Sequence, residues 1–243
     1  MALHPLGTRT HEWFVPSYGP LSVRVAIGLL FLPYTGMVLA YTMIGSMMAE
    51  RIHWDRVGAI ALIYFLALGI GAHALDAIGS KGGKPWGALL PRRPLMMLAA
   101  SSIVIAYGIG LYYIVLYVPL LAFIAVAEGF FLFAYNLEWF EGRFHTDGWF
   151  AVSWGVLPVL AGYMIQTNRL SVAVLIVAIA MGLLSLVEIK ASRPYKALKR
   201  HLATSEAGAD REQRATMQQF ELILKSLSLG VMLLGVGLIS WRF

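Results

Sequence analysis

Residues 57–76 read VGAIALIYFLALGIGAHALD, and this stretch decides the fold. It carries no charged residue before Asp76, and about 20 consecutive apolar residues are enough for a helix to cross the hydrocarbon core of a bilayer. Six further segments of the chain have the same apolar character. We therefore predict seven transmembrane helices, at about 22–46, 57–76, 95–116, 118–137, 148–166, 170–189 and 219–240.

The composition of the whole chain agrees with a membrane protein. Of its 243 residues, 59% are hydrophobic and only 13% are charged, against roughly 25% charged residues in soluble domains. The mean hydropathy is +0.71. The chain has no Cys, which excludes disulfides and thiolate metal sites. We predict an all-α, polytopic membrane helix bundle in which residues 1–243 form a single transmembrane domain.

The distribution of basic residues predicts the orientation of the bundle. With seven crossings, fifteen of the nineteen Lys and Arg residues fall on the side of the N-terminus and four on the other side. Cytoplasmic loops carry the excess of Lys and Arg, so we expect a cytoplasmic N-terminus and a C-terminus on the opposite side. The net charge of +6 then belongs to these loops, and we expect no nucleic acid partner. Residues 190–218 are predicted to form a cytoplasmic basic loop, which either lies on anionic lipid headgroups or is an ordinary positively charged loop.

The end of the second predicted helix holds the first candidate site. His73 and Asp76 are three residues apart, so both lie on one face of a helix, where a cation or a polar ligand can bind between them. The following segment, residues 79–84, reads GSKGGK after the Asp-containing turn and supplies backbone N–H groups and two ammonium groups, the components of a phosphate cradle. An ordinary flexible basic loop explains the same residues.

Three further places hold acidic residues. Glu138, Glu141 and His145 recur at three and four residues, and on a continued helix they would form a metal-binding face; a solvated turn at the membrane surface is the alternative. Glu188 closes the sixth predicted helix. Glu128 falls near the middle of the fourth, where an ionised carboxylate is costly and is expected to face the bundle interior, protonated or paired.

The chain resembles the UbiA-type intramembrane prenyltransferases over about residues 20–200. The sequence from His73 to Asp76, followed by Arg93 and Pro94, stands in the place of the family's first acidic motif and its Arg-Pro pair. Residues 134–137 and 154–163 resemble the family's fourth and fifth helices, and Glu188 stands where its second acidic motif begins. The resemblance implies a UbiA-like fold and transfer of a prenyl group from an isoprenoid diphosphate to a small acceptor.

The resemblance also implies roles for individual residues. His73, Asp76 and Glu188 would be the catalytic residues and would hold Mg²⁺. Four basic residues would bind the diphosphate, namely Lys81, Lys84, Arg92 and Arg93.

Two other functions remain open. The first is a non-catalytic UbiA-fold protein that binds a lipid-like ligand such as a quinone, or that serves as a subunit of a membrane complex. Ala72 and Ser80 stand where the family carries Asn and Asp, and this hypothesis explains that difference. The second is another metal-dependent membrane enzyme that uses the set of Glu138, Glu141 and His145 together with His73, and with Asp76 as a further candidate ligand.

Overall fold

The computed structural model describes residues 12–79, 90–204 and 211–243. Within these ranges the chain is helical and contains no strand. Its eight helices are α1 (Leu21–Leu30), α2 (Leu32–Met47), α3 (Trp54–Gly79), α4 (Arg92–Leu116), α5 (Leu121–Asn136), α6 (Asp147–Thr167), α7 (Val172–Thr204) and α8 (Arg211–Arg242).

The prediction of a membrane helix bundle is confirmed, whereas the count of seven spans is not. Five helices, α3, α4, α6, α7 and α8, are long and apolar enough to cross a membrane. A sixth crossing arises if α1 and α2, which are bent by 44° against each other, form one span. The helix α5 is apolar, but its 16 residues are fewer than the roughly 20 needed to cross the hydrocarbon core.

The bend between α1 and α2 has a local cause. Phe31 joins the two helices with φ of 48°, in the left-handed region, and Pro33 lies in the first turn of α2. A proline lacks the N–H that an α-helix uses and fits best in a first helical turn. The chain therefore restarts as a new helix at Leu32 rather than continuing straight.

Two of the long helices contain π-helical segments. In α3 the segment is Phe65–Ala72 and in α6 it is Val152–Val156. A π-helical turn holds an extra residue, so the side chains that follow are rotated relative to a regular α-helix, and such segments are frequent at functional sites. His73 follows the first segment directly, and Trp154 lies within the second.

The prediction of a basic loop over residues 190–218 is wrong for most of this segment. Residues 190–204 continue α7, and residues 211–218 begin α8. Pro194 lies inside α7 without ending it. The reason is packing, since Ala191 and Tyr195 on the same helix are 4% and 2% exposed, in a cluster with Leu224 of α8. Tertiary contacts therefore offset the helix-breaking effect of the proline.

At the centre of the bundle, α2 packs between α6 and α8. The backbones of α2 and α6 touch at two glycines: a Cβ on Gly45 would overlap the carbonyl oxygen of Val159, and a Cβ on Gly162 would overlap that of Thr42. The Ser46 hydroxyl donates to the Gly162 carbonyl oxygen at 3.0 Å. Small residues allow such close helix contacts in membranes, where lipid provides no hydrophobic drive to associate.

We expect Gly162→Ala to lower the apparent unfolding temperature of the protein in detergent. The added methyl group must push α2 and α6 apart, and overpacking of this kind typically costs about 1–3 kcal/mol. The matched control is Gly230→Ala on α8, because a Cβ at Gly230 meets no atom within 4 Å and alanine is the better helix former. Equal unfolding temperatures for the two variants would contradict the close contact.

Candidate functional site

A polar cavity of about 190 Å³ opens where the start of α2, the end of α3, the end of α5, the start of α6 and the middle of α7 meet. It lies on the side of the bundle that the charge distribution predicts to be cytoplasmic. Its lining combines charged, hydrogen-bonding and aromatic side chains: Phe31, Tyr34, His73, Asp76, Tyr135, Asn136, His145, Phe150, Trp154, Ile189, Arg193 and Lys196.

Two of the predicted catalytic residues, His73 and Asp76, line this polar cavity. The His73 side chain is buried between rings, with centroid distances of 5.4 Å to Phe31 and 5.3 Å to Trp154. The π-helical segment that ends at Ala72 positions both residues, because it sets the register of the helical turns that carry them. The prediction that His73 and Asp76 share one helical face is confirmed.

The cations of the polar cavity come from α7. The Lys196 ammonium lies 4.6 Å from the ring centroid of Phe31 and 5.6 Å from that of Tyr34, distances at which a cation is attracted to an aromatic face. Arg193 forms an ion pair with Asp147, with its Nε 2.9 Å from one carboxylate oxygen, and the Lys190 ammonium lies 2.7 Å from the other oxygen of that carboxylate. Asp147, in the first turn of α6, thereby fixes α7 against α6.

Aromatic rings form the walls between these polar groups. Phe150 and Trp154 stack with their planes 10° apart, and Phe31 meets Tyr34 edge to face at 4.7 Å. The fifth ring, Tyr135, stacks on His145 at 4.4 Å. The walls are therefore apolar enough to hold a hydrocarbon segment and carry the negative ring faces that attract a cation.

Glu188, the third predicted catalytic residue, is only 3% exposed. The polar cavity is lined by its neighbour Ile189, not by Glu188 itself. Its carboxyl group lies within electrostatic reach of Lys196, Tyr34 and Tyr41. The structure thus brings His73 and Asp76 together and places Glu188 behind the cavity wall.

Of the four predicted diphosphate-binding residues, the two that the structure describes do not line the cavity. Lys81 and Lys84 lie outside the described residues. Arg92 and Arg93 are exposed in the first turn of α4, away from the polar cavity. The cations that do line it, Arg193 and Lys196, lie in the segment that the sequence analysis assigned to a loop. Their spacing from Ile189, at four and seven residues, is the helical signal that could have identified them.

The alternative metal site lacks the continuous helix on which it depended. The helix α5 ends at Asn136, and Glu138, Phe140 and Glu141 have φ values of 52°, 55° and 60°. His145 turns into the polar cavity, where its Nδ1 lies 2.9 Å from the Tyr135 carbonyl oxygen, whereas Glu138 and Glu141 do not line it. Among the described residues, no three His, Asp or Glu side chains are placed to hold a metal ion.

The lining of the polar cavity does not fit a Mg²⁺ ion held by protein side chains. Mg²⁺ binds oxygen ligands, usually one or two carboxylates together with waters and substrate phosphates. Of the described residues that line the cavity, Asp76 is the one carboxylate, and it shares the space with the two cations Arg193 and Lys196. Arg193 and Lys196 would both repel a divalent cation there. The same two side chains would attract an anionic ligand.

Glu128 lies apart from the polar cavity. The Tyr64 hydroxyl of α3 donates to its Oε1 at 2.7 Å. The carboxyl group lines a second, largely apolar cavity between α3, α4, α5 and α6. The prediction that this carboxyl group is protonated or paired and faces the bundle interior agrees with the hydrogen bond from Tyr64.

We expect Asp147→Asn to lower the apparent unfolding temperature by a few degrees at low ionic strength, which corresponds to about 1 kcal/mol for a half-exposed ion-pair network. The loss should shrink in 1 M salt, since salt screens exposed charges. Glu221→Gln, which removes the exposed pair with Lys225 within one helix, is the matched control and should change stability less. An equal effect of both variants would mean that Asp147 does not fix α7 against α6.

The chain was also compared with known proteins. No family model, no curated protein and no solved structure gives a significant match. The function has to be inferred from the chemistry of the cavities.

Proposed function

We propose that the polar cavity binds the diphosphate group of an isoprenoid lipid, and that the protein is a UbiA-type prenyltransferase. One observation carries this proposal: Arg193 and Lys196 line the same small cavity as five aromatic rings. An isoprenoid diphosphate needs both kinds of surface, because it joins a multiply charged diphosphate group to an apolar chain.

The two cations supply the anion-binding part. Lys196 offers a compact ammonium group, and Arg193 offers a planar guanidinium that matches phosphate oxygens in pairs. Hydrogen bonds between charged partners are roughly twice as strong as neutral ones. Asp147 holds Arg193 from one side at 2.9 Å, so the guanidinium is positioned before a ligand binds.

The rings and polar side chains supply the reactive part. In the proposed transfer, the bond between C1 of the prenyl chain and the diphosphate oxygen breaks, and its electron pair leaves with the diphosphate, which Arg193 and Lys196 hold. The positive charge that develops on C1 faces the rings, which attract cations. A nucleophilic atom of the acceptor forms the new bond to C1, and the proton it releases passes to His73 or Asp76, both of which line the cavity.

A non-catalytic lipid-binding protein, free or as a subunit of a membrane complex, is the second candidate. The observation in its favour is that Asp76 is the one carboxylate among the described residues that line the cavity. Incubation of the protein in nanodiscs with a radiolabelled allylic diphosphate and a membrane lipid extract separates the two. A labelled lipid product and released diphosphate support the transferase, whereas saturable binding without product supports the binding protein.

We expect Arg193→Gln and Lys196→Met each to weaken the binding of radiolabelled geranyl diphosphate to the protein in nanodiscs by tenfold or more. A hydrogen bond to a charged group is worth about 1.5–3 kcal/mol, and each variant removes one such donor. Arg92→Gln and Arg93→Gln are the matched controls, because both arginines are exposed outside the cavity, and we expect changes below about twofold.

The same measurement tests the argument about Mg²⁺. Affinity in EDTA should lie within about twofold of the affinity with Mg²⁺, since the cavity cations take the phosphate charge. A loss of more than tenfold in EDTA would contradict this part. Strong effects of the Arg92 and Arg93 variants, with none from Arg193 and Lys196, would move the diphosphate site to the start of α4 and overturn the proposal.

A further inference from the structure

The second cavity, called the apolar cavity here, has a volume of about 270 Å³. It is distinct from the polar cavity, since no residue that the structure describes lines both. Its walls are aliphatic side chains of α3, α4 and α5, such as Ile63, Leu111 and Leu132. Among the described lining residues, three polar side chains interrupt these walls: Tyr64, Tyr107 and Glu128.

Among the oxygen atoms of these three side chains, one has no hydrogen-bond partner in the part of the chain that the structure describes. Tyr64 donates to Oε1 of Glu128 at 2.7 Å, and the Tyr107 hydroxyl donates to the Ala125 carbonyl oxygen at 2.9 Å. Gly129 permits that second contact, because a Cβ there would overlap the Tyr107 hydroxyl. Within the described part of the chain, the buried Oε2 of Glu128 has no hydrogen-bond partner.

An unpartnered carboxyl oxygen in an apolar surrounding costs free energy, since burial of a polar atom without a hydrogen bond is unfavourable by about 1–3 kcal/mol. A leucine at this position would avoid that cost and would suit the aliphatic walls. A ligand that hydrogen-bonds to Oε2 would offset the cost. A carboxyl group, unlike an aliphatic side chain, therefore allows this cavity to select a molecule with a polar group.

We propose that the apolar cavity binds a hydroxyl-bearing apolar ring molecule from the bilayer, with its hydroxyl on Oε2 of Glu128. A hydroxyl group can both donate and accept, so it pairs with the carboxyl group in either protonation state. A dry cavity of about 150 Å³ holds benzene, and on that scale 270 Å³ suits about two fused rings. The molecule enters from the lipid side, where the lining residues Tyr107 and Leu111 of α4 are 40% and 59% exposed.

The test compares two molecules of nearly equal shape. The protein in nanodiscs is titrated with radiolabelled 2-naphthol, and unlabelled 2-naphthol or 2-methylnaphthalene competes for the site, with empty nanodiscs as the measure of partition into lipid. We expect 2-naphthol to compete about tenfold more strongly, because one buried hydrogen bond separates the two ligands. No saturable binding, or equal competition by both molecules, overturns the proposal.

Three variants assign the difference to Glu128. Glu128→Leu should reduce the tenfold preference to about onefold, while Glu128→Gln, which keeps an oxygen acceptor and a donor, should retain most of it. Glu138→Gln makes the same change outside the cavity and should leave the preference unchanged. A Glu128→Leu variant that keeps the full preference contradicts the proposed contact, and the comparison of the two molecules on the unaltered protein stands even if that variant fails to fold.

Discussion

The architecture depends on how closely α2 and α6 approach each other. At Gly45 and Gly162 the two backbones are in contact, and the Ser46 hydroxyl closes the contact on the Gly162 carbonyl oxygen at 3.0 Å. Both helices begin at the polar cavity and run side by side to this contact. The contact near their ends therefore also fixes the distance between their starts. The rings of Tyr34 on α2 and Phe150 on α6, 6.3 Å apart between centroids, are held by that distance as opposite walls of the cavity.

The helices could be predicted from the sequence because apolar length is a local property, readable without any knowledge of neighbours. The segment after Lys190 could not, because its helical state depends on a partner. Pro194 and the surrounding charges are typical of a loop, whereas the packing of Tyr195 against α8, with 2% of the tyrosine exposed, stabilises the helix there. The same dependence applies to the residues that line the polar cavity. His73 and Asp76 are placed by their spacing within one helix, whereas Arg193 and Lys196 reach the cavity because α7 continues past Lys190.

The buried carboxyl groups show how hydrocarbon limits what acidic residues can do. Glu128 lies in the apolar part of α5 with one oxygen on the Tyr64 hydroxyl, while Glu188 is buried within electrostatic reach of Lys196. An unpaired charge at either place would be expensive. The two carboxyl groups thus have different partners, a hydroxyl donor for Glu128 and a nearby cation for Glu188.

The π-helical segment of α3 affects both cavities. Phe65–Ala72 lies in the same helix as residues of both cavities, since Leu68 lines the apolar cavity and His73 lines the polar one. Without the extra residue of the π-helical turn, the side chains after Ala72 would rotate by about 100° about the helix axis, and His73 would leave the space between Phe31 and Trp154. The π-helical turn therefore sets the angle about the helix axis between Leu68 and His73. Through this turn, one helix contributes an aliphatic side chain to the apolar cavity and an imidazole to the polar cavity.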